Sequence, residues 1–395
     1  MNILFLALSF PDISKTSSLY GDLVLEFAAK GHHITVVAPL LQGNDTHVEQ
    51  IKGVEVLWVK TRKLLNVNPI KKGIANLLLP YQYERAIAKH LNTTYDLIII
   101  PTPPITFAAL AKSLKKKWHA KVYLILRDIF PQNAKDLGII KHPLLFNFFR
   151  KKECALYAVS DQIGCMSRGN IAFVEQHNPE VEKSKLHLLP NWGSIALNPQ
   201  HAVGDIRKKL NLEGKFIALF GGNIGLPQRF ENLLALAERC MVYPDVCFMF
   251  VGGGTEFNRL QEKVKQLNLT NVIVKRSIPR ADFEALTAAC DLGLISLDQR
   301  FTIPNIPSKT LSYLQVRIPV LASIDAHTDY GTLLTDEMQA GLWAQAGDHE
   351  AVFAQFNQLY MNPSLRKQMG ENGRLYLENH LTVAQACQTI IDKIG

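Results

Sequence analysis

Residues 216–234, FIALFGGNIGLPQRFENLL, decide how the rest of the chain is read. Phe216 to Phe220 is continuously apolar, the pattern of a parallel strand covered on both faces. Gly221, Gly222 and Gly225 then predict a glycine turn, with a helix expected from Arg229 to Met241. Glycines at a strand's carboxyl end let backbone N–H groups approach a ligand, and a helix N-terminus beside them favours anions. An ordinary βα turn has the same residues, so the stretch gains meaning from a second one. That is IPSKTLSYL, residues 306–314. Pro307 suits a first helical turn, and Ser308, Lys309 and Thr310 offer N–H groups, hydroxyls and an ammonium. The alternative is that Ser308 and Thr310 only cap. A diphosphate would suit the two sites together.

Working outward, strand and helix alternate on both sides. Strands are expected at Val246–Val251, Val272–Val274, Leu292–Ile295, Pro319–Ser323 and Gly341–Ala344, with a helix over Pro279–Cys290. Earlier ones are expected at Asn2–Leu8, Ile34–Ala38, Val54–Val59, Asp96–Ile100, Val122–Leu126, Gln162–Met166 and Leu186–Leu189. Such alternation predicts an α/β fold of two doubly wound, parallel-sheet, Rossmann-like domains with ligand loops at the carboxyl ends of strands. The expected limits are residues 1–195, a linker at 196–214, and 215–378. A final helix, 379–395, is expected to pack back toward the first domain, and one ligand would be held in a crevice between the two. Neither a GxGxxG with a ribose acid nor a GxxxxGK[ST] is present, which argues against dinucleotide and P-loop readings.

A chain of 395 residues suits two domains, and 47% hydrophobic with 20% charged residues is ordinary for a globular protein. Six scattered cysteines without CxxC or Cys/His spacing point to reduced thiols in the cytoplasm. MNILFLALSFPD is expected to be a first strand rather than a signal peptide. Charge is uneven: residues 1–200 carry 24 Lys and Arg against 15 Asp and Glu, whereas the remainder carry 19 against 20. The first half therefore calls for an anionic partner. Residues 60–90, 112–118 and 141–152 mix basic with apolar side chains, as an element lying on an anionic membrane does. A helical hairpin with solvated lysines is the alternative for 60–90. No stacking or groove-reading motif accompanies the charge, so nucleic acid is not an expected partner.

Two loops of the first half lie at carboxyl ends of strands. In one, Thr16, Ser17 and Ser18 either cap the next helix or meet a ligand. In the other, Arg127 and Asp128 follow a fully apolar strand, and either face the ligand or pair with each other.

Arg127 and Asp128 open one of several stretches that, taken together, carry a family likeness: MNILFLALSFPD, FAAKGHHITVVAP, RDIFPQNAKDLGII, CMSRGNIAFV, LHLLPNWGS, FGGNIGLPQRFENLLALA, FVGGGTEFNRLQ, IPSKTLSYLQVRIPVLASID and AGLWAQAGD. In this order they resemble the retaining, family 4 glycosyltransferases of GT-B fold, in the bacterial branch that builds O-antigen, capsule and colanic acid. The resemblance implies an acceptor-binding first domain and a nucleotide-sugar-binding second one. It implies sugar transfer with retention, without metal or other cofactor, from a UDP- or GDP-sugar to a polyprenyl-diphosphate-linked saccharide. The place implied is the inner face of the cytoplasmic membrane. By family position, Gly222 and Asn223 lie beside the diphosphate and donor sugar, and Ser308, Lys309 and Thr310 open the helix facing the phosphates. Arg276 and Ser277 meet the base, while Asp128 and Arg127 stand near the acceptor hydroxyl and donor sugar.

Three departures qualify the match. The glycine-rich loop after strand one is replaced by residues 12–17, including Thr16 and Ser17. Asn223 and Gln228 replace the usual arginine and lysine of the donor loop, with Arg229 next door to restore charge. Pro304 and Ser312 occupy the places of the paired glutamates. A nucleotide-sugar 2-epimerase of the same fold, or a non-catalytic sugar-nucleotide-binding partner subunit, is the alternative function.

Overall fold

The computed structural model describes residues 1–40, 43, 45–63, 69–195 and 203–395. It divides into two compact units, residues 1–190 with 383–395, and residues 191–382.

The first unit is built on an eight-stranded sheet. Its strands are β1 (Asn2–Leu6), β2 (His33–Pro39), β3 (His47–Ile51), β4 (Val54–Val59), β5 (Leu97–Pro101), β6 (Lys121–Leu126), β7 (Gln162–Cys165) and β8 (Leu186–Leu188). Their order is β3-β4-β2-β1-β5-β6-β7-β8, parallel except for β3. Every residue of β5 is buried, which explains its unbroken apolar run. Strand β3 was not expected. It is exposed at four of its five positions and so carries no apolar signal. Lys52 (φ 51°) and Gly53 (φ 79°) form the two-residue hairpin that holds it against β4.

Among the described residues, the basic stretch 60–90 gives one helix, Pro69–His90, with Pro80 inside it. Its residues 64–68 lie outside the described residues, as do 196–202 of the expected linker. The rest of that linker is not plain coil, because Val203–Lys209 is helical. The last helix, Val383–Ile394, buries Ala386, Cys387, Ile390 and Ile394, one face of a 3.6-residue repeat. It packs on the helix Leu19–Ala29 and against β6 and β7. Lys30 Nζ donates to Gln388 Oε1 at 2.9 Å, and Lys121 Nζ to the carbonyl of Ile394 at 2.9 Å.

The second unit has six parallel strands: β9 (Phe216–Asn223), β10 (Val246–Gly253), β11 (Val272–Arg276), β12 (Leu292–Ser296), β13 (Val320–Ile324) and β14 (Gly341–Gln345). The order β11-β10-β9-β12-β13-β14 reverses direction between β9 and β12. That reversal is the topological switch point where open α/β sheets take ligands. Phe220, Phe248, Phe250 and Phe356 fill one face of the sheet.

Two boundaries correct the expectations around the switch point. β9 continues through Gly221 and Gly222 to Asn223, with both glycines paired to β10, so the turn comes later. The following helix begins at Glu231 and not at Arg229. A short 3-10 turn, Leu226–Gln228, carries Pro227, and Arg229 leaves it at φ 34°, a left-handed backbone that no helix continues. Similarly, the helix after Pro307 is Thr310–Gln315, preceded by a turn, and the one expected from Pro279 is Arg280–Ala288.

Candidate functional site

In the second unit the ends of β9, β10 and β11 form a floor made largely of backbone. Gly252 pairs with Gly222, and a Cβ on Gly252 would lie 1.8 Å from the Gly222 carbonyl oxygen, so no larger residue fits. Gly222 itself has φ 103°, and a Cβ placed on it would meet nothing within 4 Å. Open space therefore begins at this backbone. Asn223 is exposed beside it. Its Nδ2 donates to Gln228 Oε1 at 3.3 Å, and the same oxygen accepts from the Gly225 N–H at 3.1 Å. The Asn223 and Gln228 side-chain amides thus hold the turn together. Arg276 and Ser277 are exposed at the end of β11; the Arg276 guanidinium stacks 4.5 Å from the Phe257 ring centroid, and Ser277 Oγ lies beside Gly253.

The segment 307–315 is pinned to this floor. Tyr313 Oη donates to the carbonyls of Leu219 (2.9 Å) and Leu294 (3.2 Å), and accepts from the Gly221 N–H at 3.3 Å. One tyrosine therefore ties the helix to both strands of the switch point. Lys309 follows from this placement: its Nζ lies 3.6 Å from the Phe220 ring centroid, just before the two glycines. Part of the residue reaches the surface, but Nζ is covered and has no hydrogen-bond partner. Burial without a counter-charge pushes its pKa down to about 7.

The neighbouring residues do not all share this orientation. Ser308 is exposed. Thr310 is buried, its hydroxyl 2.6 Å from Tyr330 Oη, and its N–H is spent on the Pro307 carbonyl at 3.2 Å. It faces the core and is not open to a phosphate, which corrects its expected place among the ligand groups. Arg229 likewise turns aside, with Nη1 3.6 Å from Asp298 Oδ1. Asp298 is buried and also holds Arg300, Oδ2 to Nη2 at 2.6 Å. Burial raises the Asp298 pKa, but the Arg300 hydrogen bonds and the two guanidinium charges bring it below the usual value. These groups line a cavity of about 170 Å³ together with Glu231, Glu256 and Arg259. Arg259 pairs with both glutamates, so the charges there are matched among themselves.

Asp298 was missed because its partners are visible only in three dimensions. So was Asp325, at the end of β13. Its Oδ1 accepts from the N–H groups of His327 and Thr328, both at 2.9 Å, while Oδ2 is buried with no partner. Burial raises its pKa to about 6. Asn191 Nδ2 donates to the Ile306 carbonyl at 3.1 Å, steadying the approach to Pro307.

In the first unit the carboxyl ends of β5 and β6 are joined by Thr102, whose Oγ1 accepts from the N–H groups of Arg127 (2.9 Å) and Asp128 (3.1 Å). Arg127 and Asp128 do not form an ion pair among the described residues, and Arg127 Nη1 is buried without a partner. The alternative in which they simply neutralise each other is thereby corrected. Burial lowers the Arg127 pKa and raises that of Asp128, the latter partly offset by the Arg127 charge. Tyr20, from the first turn of helix Leu19–Ala29, lies within electrostatic reach of both and was not singled out by sequence. Thr16 and Ser17 are exposed, and Ser17 Oγ donates to the Asp22 carboxylate at 2.6 Å and 2.7 Å. The helix cap is Ser18, which accepts from the Gly21 N–H.

Comparison with known proteins gives this geometry a context. Residues 203–376 match the family model described as Glycosyl transferases group 1. WbjE of Pseudomonas aeruginosa, which carries a glycosyltransferase name, is 21% identical over 326 residues, 80% of this chain and 78% of that protein. WcaI of Escherichia coli (strain K12), named for a glycosyl transferase of colanic acid biosynthesis, is 23% identical over 396 residues, 92% of this chain and 93% of that one. Among solved structures, Alr3699/HepE of Anabaena in complex with UDP-glucose superposes with a TM-score of 0.73 at 15% identity, over 100% of this chain and 99% of that one. The likeness to solved structures is one of fold, and the fold is GT-B: two Rossmann-like parallel-sheet units.

Proposed function

We propose, on the premise that the chain is a group 1 glycosyltransferase through its residues 203–376, that it moves a sugar from a nucleotide-diphosphate donor to a lipid-linked saccharide in surface polysaccharide biosynthesis. The donor is a UDP- or GDP-sugar, of hexosyl or N-acetylhexosaminyl kind, and the acceptor is carried on polyprenyl diphosphate. Transfer retains the anomeric configuration, needs no metal, and takes place at the inner face of the cytoplasmic membrane. The observation that carries this reading is the Lys309 ammonium, covered, unpartnered, and held over Phe220, two residues before the open backbone of Gly222. A buried cation without an anion is costly, and a diphosphate supplies the missing charge.

The roles follow from position. Asn223 and the Gly222 backbone meet the diphosphate and sugar, Arg276 and Ser277 the base, and Ser308 the phosphates through its exposed hydroxyl. Lys309 stabilises the departing diphosphate as negative charge builds on it. Asp128, its pKa raised by burial, takes or orients the acceptor proton, and Arg127 holds negative charge nearby. The diphosphate itself assists on the same face of the sugar, so no covalent nucleophile is assigned. The known complex of Alr3699/HepE with UDP-glucose supports the donor class.

The resemblance also admits a binding role without catalysis, since by family position Pro304 and Ser312 occupy the places of the paired glutamates. A panel of UDP- and GDP-sugars, scored by thermal shift and then by transfer to a lipid-linked acceptor, separates the readings. Binding with transfer is expected. Binding without transfer would favour the partner-subunit reading, and sugar turnover without acceptor a 2-epimerase. Absence of binding to every donor would overturn the proposal.

A further inference from the structure

The helix Pro69–His90 presents a face that changes character along its length. Ile74, Leu77, Leu78 and Tyr81 recur at helical spacing and are all exposed, Tyr81 by 59%. The same stripe continues into Arg85 and Lys89, also exposed. Those two, with Lys60, His90 and Tyr81, line a pocket of about 260 Å³ that has no carboxylate among the described residues of its walls. Arg85 stacks on Tyr81, its Cζ 5.6 Å from the ring centroid, so the aromatic residue belongs to both the apolar stripe and the cationic pocket.

A second helix, Pro143–Val159, repeats the pattern. Leu144 (72% exposed), Leu145 and Phe148 are open to solvent on its first turns, and Ile139 is exposed just before it. Lys141 and Lys151 flank them, and Lys152 Nζ lies 5.6 Å from the Phe148 ring centroid. Both helices pack against one short turn, Ile105–Phe107, which follows the carboxyl end of β5. Thr106 Oγ1 fixes the first of them by donating to the Asn76 carbonyl at 2.9 Å. The two helices therefore border the same turn, which follows Thr102, the acceptor for the Arg127 and Asp128 N–H groups.

The structure assigns this double stripe as the surface on which the first unit docks to an anionic bilayer. Leu77, Tyr81, Leu144 and Phe148 enter the interface, and the Lys60–Arg85–Lys89–His90 pocket takes a lipid headgroup phosphate. Apolar side chains bordered by lysine and arginine match an interface of acyl chains under anionic headgroups, whereas a soluble acidic partner would leave the leucines without cover. The assignment deepens the lipid-linked acceptor reading and rests on it only for the choice of a membrane as occupant. Docking through the helices that border the turn after Thr102 would suit an acceptor whose sugar stands just above its own lipid.

The test is sedimentation of the full chain with vesicles of phosphatidylethanolamine containing about one third phosphatidylglycerol, against vesicles of neutral lipid alone. Wild type is expected to bind the anionic vesicles. The triple variant Lys60→Gln, Arg85→Gln, Lys89→Gln should weaken binding by about a hundredfold, and Leu144→Glu with Phe148→Glu should abolish it. All five residues are exposed, and thermal melting checks that each variant folds. Equal binding of wild type and both variants would overturn the assignment. So would failure of wild type to bind, and so would a dimer in solution that the Leu144/Phe148 variant dissociates, since a second copy would then be the occupant. Donor-induced thermal shifts, read in parallel, report on the glycosyltransferase reading separately.

Discussion

The role proposed for Lys309 would make donor binding a proton-linked event. With no partner and a pKa brought down to about 7 by burial, its ammonium is half present at neutral pH. A diphosphate beside it raises that pKa again, so the donor binds the charged form and draws in a proton above pH 7. The protonated fraction falls from roughly three quarters at pH 6.5 to about 3% at pH 8.5, so affinity for a UDP-sugar should drop about 25-fold over that range. Titration calorimetry in two buffers of different ionisation heat measures both quantities, and uptake of nearly one proton is expected at pH 8.5. Lys309→Met should bind weakly and show neither the slope nor the uptake. Stability without donor gives an independent check. The folded-state pKa lies below the unfolded value, so the unfolded chain holds more protons between pH 7 and 10.5. Wild type should therefore gain stability relative to Lys309→Met as pH rises through that window, from a deficit of up to about 4 kcal/mol at pH 7. A wild-type affinity that is flat from pH 6.5 to 8.5, without proton uptake, would refute the role given to this ammonium.

Asp128→Asn should leave donor affinity intact and lower kcat by about a hundredfold or more, and wild-type turnover in this variant would remove the acceptor-side carboxylate. Because burial raises the Asp128 pKa, wild-type kcat should climb with pH through a value above the ordinary aspartate range, a limb absent from the Asn variant. Gly252→Ala drives a methyl group into the Gly222 carbonyl, and a loss of about 2 kcal/mol or more, with weakened donor binding, should appear in melting curves and thermal shifts. Thr102→Val leaves the Arg127 and Asp128 N–H groups without their shared acceptor. It should cost about 1–3 kcal/mol in denaturant titration and reduce kcat more than donor affinity.

Much of the fold was legible because buried parallel strands read as unbroken apolar runs, as β5, β6 and β9 do. β3 was invisible for the opposite reason: it is a wet edge strand whose only signal is the Lys52–Gly53 turn. The candidate site was legible by place but less so by orientation. Sequence put Thr310 at a helix start, but whether its hydroxyl meets a ligand or Tyr330, twenty residues on, depends on tertiary packing. Arg229 was read as a restored charge at a helix N-terminus, yet Pro227 displaced that helix and Asp298 claimed the guanidinium. Asn223 could be read as a lost arginine, but its bond to Gln228 emerged only in three dimensions. Tyr20 carries no local pattern, since Arg127 and Asp128 reach it from a distant strand end, and the burial of Asp325 Oδ2 is set by packing and not by its local turn with His327 and Thr328.

The final helix has a consequence for dissecting the molecule. Its apolar face belongs to the sheet begun at residue 1, so the whole of 191–382 is inserted between two pieces of one folding unit. The chain thus passes from one unit to the other twice, and the two crossings are stitched by the Gly193 N–H on the Leu381 carbonyl at 2.8 Å. A stop codon placed just ahead of that helix would strip the earliest-synthesised strands of cover they cannot find elsewhere. On the ribosome, that first unit stays unfinished until residues 383–395 emerge.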